Sequence, residues 1–160
     1  MIFVALPVSG DSDVEFELGG DVETRCTIES TSTVEADFTS RDEASISYEL
    51  YCNTEMSISL TSANGGLLNG SRDGGADERG SPLLHTYTAT LSLQNAGLER
   101  SFTSGEMRDT VQIDVTGQIV FDEVGRIDVR LDEGLTGSYS GSYRDRVTIA
   151  VFPSLATALN

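Results

Sequence analysis

Apolar side chains recur at every second position through most of this chain, and that period constrains the fold more than any other feature. Val14, Phe16 and Leu18 alternate with Asp13, Glu15 and Glu17. Ile46, Tyr48, Leu50 and Cys52 share one parity, while Ser45, Ser47, Glu49 and Tyr51 hold the other. Met56, Ile58 and Leu60 repeat the pattern, as do Tyr87, Ala89, Leu91 and Leu93, then Val111, Ile113 and Val115, and finally Val147, Ile149 and Val151 before Pro153. Successive side chains of a strand point to opposite faces, so each run reads as a half-buried antiparallel strand. No stretch long enough for a helix carries a clean three-to-four apolar repeat.

Glycine and asparagine punctuate the runs at Gly19-Gly20, Asn64-Gly65-Gly66, Asn69-Gly70, Gly74-Gly75 and Asn95-Ala96-Gly97. Residues 64–82 read as one short hairpin followed by a mobile loop. Ile119 and Phe121 extend the Val111–Val115 strand past Gly117, with Gly117-Gln118 marking a bulge or a short turn, and Ile127, Val129 and Leu131 follow after Gly125. Asp122-Glu123 and Asp132-Glu133 read as turn residues at strand ends. About eight short strands with no helix between them predict an all-β fold, a sandwich of two antiparallel sheets.

Composition narrows the partners. Acidic residues number 26 against 10 basic ones, the formal charge is −16, and every basic residue is Arg. Nucleic acid, which attracts Lys and Arg to its phosphates, is excluded as a partner on that balance. In 160 residues, 38% hydrophobic content supplies one core of ordinary size. No apolar run is long enough to span a membrane as a helix. The apolar start, Ile2 to Val8, is either the remnant of a signal peptide or a strand of its own, since Ile2, Val4, Leu6 and Val8 also alternate.

Two cysteines, Cys26 and Cys52, read as a disulfide in an exported chain, the alternative being two buried thiols. Closing that loop of about 27 residues would restrict the unfolded chain by about 3.5 kcal/mol. His85 is the sole imidazole, and no nucleophile elbow or triad frame accompanies it, so no enzyme is expected. The loop from Arg72 to Glu78 has three carboxylates beside glycines but not the alternating oxygen spacing of a calcium loop, and it reads as a solvated turn. No cofactor or metal is expected.

Four stretches in order carry a resemblance: the Val14-x-Phe16-x-Leu18 strand ahead of Cys26, Cys52 followed by Asn53, the segment Ser57 to Leu67, and Gly141-x-Tyr143-x-Asp145-x-Val147-x-Ile149-x-Val151. Over residues 13–153 the chain resembles a bacterial pilin subunit of the chaperone–usher type, in particular the group with the spore coat protein U domain. Residues 1–12 would then be a signal-peptide remnant or an N-terminal donor extension, and 154–160 a tail. The resemblance implies an immunoglobulin-like sandwich that lacks its last strand, with a disulfide between its first two strands and an open apolar groove. A strand from another subunit fills such a groove by β-augmentation, for which chaperone–pilin complementation is a standard example.

Parity places Val147, Ile149 and Val151 on one wall of the acceptor groove, with Arg146, Thr148 and Ala150 facing away. Val14, Phe16 and Leu18 are the expected donor residues; the alternative is an ordinary first strand packed in the same molecule. The expected partners are a periplasmic chaperone, an outer-membrane usher and copies of itself or sister pilins. The expected destination is the cell surface by way of the periplasm, in a fimbria serving adhesion or biofilm formation. The rival reading is a stand-alone secreted β-sandwich binding module with a ligand or calcium loop at 64–82.

Overall fold

The structure, a computed structural model, describes residues 17–30, 35–70 and 83–154. Each apolar alternation within them forms a strand. The first is β1 (Cys26–Ser30), followed by β2 (Glu43–Cys52), β3 (Met56–Ser62), β4 (Leu67–Asn69), β5 (Leu84–His85), β6 (Tyr87–Leu93) and β7 (Leu98–Thr103). A single helical turn, α1 (Ser104–Met107), leads to β8 (Val111–Val115), β9 (Val120–Leu131), β10 (Tyr143–Arg144) and β11 (Val147–Pro153). The fold is all-β, as the period-two pattern predicts.

One sheet has the order β1-β2-β9-β6-β7. The other layer is made of β11-β3-β8 and, beyond the turn that joins β3 to β4, of β10-β4-β5. All pairings are antiparallel. Tyr48, Leu50, Leu91, Leu93, Ile127 and Val129 from the first sheet meet Met56, Ile58, Leu60, Ile113 and Val115 from the second in one core. Polar residues of opposite parity face water, so each strand contributes one dry and one wet face. Cys26 and Cys52 stand opposite each other in the register of β1 and β2 and are joined as a disulfide.

Three readings of the sequence are corrected. Phe121 does not extend the strand before it: Gly117, at φ 73°, belongs to the link between β8 and β9, and β9 runs on from Val120 straight through Gly125. Gly125 is no break, because it faces Tyr48 across the ladder and a Cβ there would stand 2.3 Å from the tyrosine ring. A larger residue would drive the ring out of the core.

The second correction concerns Glu123, read as a turn residue. It lies within β9 and is 1% exposed. The pairing of β2 with β9 shifts register between Leu50 and Cys52, and Asp122 adopts φ 49°. One extra residue in β9 thus makes a bulge that flips parity and turns Glu123 inward. Its carboxylate accepts a hydrogen bond from the Asn95 backbone N–H at 2.6 Å.

The third is the helical turn. Thr103 Oγ1 accepts from the Glu106 N–H, and the Glu106 carboxylate accepts from the Thr103 N–H at 2.8 Å, a reciprocal capping box. Met107 from this turn is fully buried.

Candidate functional site

One margin of the sandwich is formed by the outer strands β1 and β11. β11 pairs along one edge with β3, from Val147 opposite Ser62 to Pro153 opposite Met56. Among the described residues no strand pairs with its other edge. β1 likewise pairs only with β2, and β1 and β11 lie in contact across the margin. Backbone groups along such edges look for partners, and natural proteins cover or blunt them for that reason.

Val147, Ile149 and Val151 sit on β11 with the expected parity: all three are half-buried and pack against the core from this open side, as do Cys26 and Ile28 of β1. Thr148 is exposed, in line with its outward assignment, whereas Ala150 is half-buried. Phe152 of the same strand is 54% exposed. The structure therefore gathers apolar side chains from both sheets at an edge that leaves them partly wet.

Asp145 fixes where β11 starts. Its carboxylate accepts four hydrogen bonds, from Tyr87 Oη at 2.6 Å, Ser62 Oγ at 2.5 Å, the Asn64 N–H at 3.0 Å and the Arg146 N–H at 2.8 Å. These ties join β6, the end of β3 and the β3–β4 turn to the second residue before the strand. Burial, and then the bond to Asp145, pushes the Tyr87 phenol well above its ordinary value, so it remains a hydrogen-bond donor. The Asp145 hub was not foreseen, although the Gly-x-Tyr-x-Asp spacing already set this aspartate at the same parity as Gly141, Tyr143, Val147, Ile149 and Val151, the face expected to turn inward.

Of the expected donor residues, Val14 and Phe16 lie outside the described residues. Leu18 lies in a stretch that belongs to no strand and is 88% exposed. That is a costly place for a leucine in water. The mobile loop expected around residues 71–80 also falls outside the described residues. Among the described residues no group of three or more His, Cys, Asp or Glu side chains is arranged to hold a metal ion. His85 forms β5 together with Leu84 and is buried, with Nε2 2.8 Å from Ser138 Oγ.

No protein-family model matches the chain. No curated protein matches it either. A solved structure with a similar fold is that of a chaperone–tip adhesin complex vital for synergistic activation of CFA/I fimbriae biogenesis. The TM-score is 0.55 and the identity 18%, over 81% of this chain and 41% of that one. The chain thus spans about two fifths of its neighbour's length, and at this identity the likeness is one of fold.

Proposed function

We propose that this chain is a non-enzymatic subunit of a chaperone–usher fimbria, exported through the periplasm and joined to its neighbours by donor-strand exchange. The observation that carries the reading is the margin between β1 and β11, where Val147, Ile149 and Val151 remain half-covered beside an edge with no strand on it among the described residues. An inserted strand would complete the ladder of β11 with main-chain hydrogen bonds and cover those side chains with its own. The similarity in fold to a chain of a fimbrial chaperone–adhesin complex supports the same reading. Three donor side chains the size of Val14, Phe16 and Leu18, each worth about 1.5–3 kcal/mol on burial, give a gross gain of about 5–9 kcal/mol before the donor's ordering is subtracted. Partners in this reading are a periplasmic chaperone, an usher, and copies of this chain or sister pilins.

The test is a melt of the purified protein with and without a synthetic peptide of residues 13–19. We expect the melting temperature to climb with peptide concentration, as linkage requires of a ligand that binds only the folded state. A peptide carrying Phe16→Asp should have no effect. A monomer whose melting temperature ignores the natural peptide at every concentration would overturn the reading. In that case a rise on calcium addition would point instead to a secreted binding module using residues 64–82.

A further inference from the structure

His85 is the only histidine of the chain and is 5% exposed. It is held from three sides. Its backbone pairs with Leu67 of β4. The ring of Tyr143 in β10 meets the imidazole edge-on, with centroids 5.1 Å apart and planes at 74°. Ser138 Oγ lies 2.8 Å from Nε2. Ser138 belongs to the 132–142 connection between β9 and β10, whose other ties to this end of the fold include two backbone bonds: Asp132 N–H donates to Thr86 O at 3.1 Å, and Gly70 N–H donates to Ser142 O at 2.9 Å. In the middle of that span two side-chain hydrogen bonds hold it, His85 with Ser138 Oγ and the Tyr143 hydroxyl with Tyr139 O.

We propose that His85 is an acid-sensitive latch, which holds the 132–142 connection closed as a neutral imidazole and releases it on taking up a proton. A protonated ring donates from both nitrogens, so it keeps Ser138 only if the hydroxyl turns to accept from Nε2–H, and the burial of His85, 5% exposed, leaves its new charge with little water. The charged groups around it do not offset this. β4 has no titratable side chain. On the connection, Asp132 is engaged with Thr88 Oγ1 at 3.2 Å, and Glu133 is the carboxylate that favours the proton. On β10, the exposed Arg144 donates from Nε to Ser142 Oγ at 3.0 Å, and the Tyr143 hydroxyl donates to Tyr139 O at 3.1 Å. Burial outweighs Glu133 and holds the imidazole below its ordinary 6.5. With the closed-state value depressed, the latch is at full strength above pH 6.5 and weakens as the pH falls below it. It works whether or not β11 accepts a foreign strand.

The experiment is amide hydrogen exchange on the whole protein across this pH range, corrected for the intrinsic rate, alongside an NMR titration of the single imidazole. We expect protection in residues 134–142 to fall by up to about tenfold per pH unit between the ordinary histidine value and the ring's own midpoint. His85→Gln, which still bonds Ser138 but does not titrate there, should keep its protection over the same interval. A ring midpoint at or above 6.5, unchanged protection in the natural protein, or an equal fall in the Gln variant would each overturn the latch. Should His85→Gln fail to fold, Ser138→Ala decides: a connection already weakly protected at neutral pH supports the latch, and one that behaves like the natural protein overturns it.

Discussion

A single carboxylate, Asp145, gathers two hydroxyls and two backbone N–H groups at the point where the last strand begins. Hydrogen bonds to a charged acceptor are worth about 1.5–3 kcal/mol each, and removing the acceptor strands the buried Tyr87 hydroxyl as well. Asp145→Ala should therefore lower stability by about 3–5 kcal/mol in urea unfolding, and Asp145→Asn by less, because the amide oxygen still accepts. Alkaline pH attacks the same region. Burial, helped by Glu123 at Tyr48 and by Asp145 at Tyr87, raises both phenols above the ordinary 10.0. A raised folded value means that this stability is intact below pH 10.0 and is lost as the pH climbs beyond it. Ultraviolet titration should thus find two tyrosines that ionise only as the protein unfolds.

At the scale of elements, strands with strict alternation could be read directly. β2, β3 and β6 carry their buried residues where the sequence places them, because each pairs on both edges and a slip of one residue would expose the whole apolar set. β9 was harder. Its parity changes at Asp122, and no apolar pattern announces a bulge before the partner strand is known. The turn α1 is too short for a hydrophobic period to emerge, and its one visible mark was the Thr103-x-x-Glu106 spacing. The bulge gives a clean prediction. Asp tolerates φ 49°, whereas a β-branched residue there is strained, so Asp122→Val should cost about 1–3 kcal/mol in thermal unfolding while Asp122→Gly is nearly neutral. If Val is tolerated as well as Gly, Asp122 does not hold the left-handed backbone that turns Glu123 inward.

For the whole molecule, a charge of −16 acts on everything at once. Only two ion pairs, Arg126–Asp128 and Arg130–Glu43, form among the described residues, both on the surface, so most of the negative charge is answered by solvent ions alone. Raising the salt from about 0.01 M to about 0.15 M shortens the screening length from about 30 Å to about 8 Å, and the melting temperature should rise over that interval. A flat response would mean that self-repulsion is not what limits stability. The half-buried face of β11 was legible in part, since parity alone put Val147, Ile149 and Val151 together, but the sequence does not say which strands come to lie at an edge. That depends on how β1 and β11 come to share one margin, a long-range outcome of topology.

The two banks of that margin are not equally firm. β1 is bolted to β2 by a covalent link between Cys26 and Cys52, while β11 hangs from β3 by a ladder that starts at one aspartate. Anything entering the gap would meet a cross-linked bank on one side and, on the other, a bank held by hydrogen bonds and packing without a covalent tie.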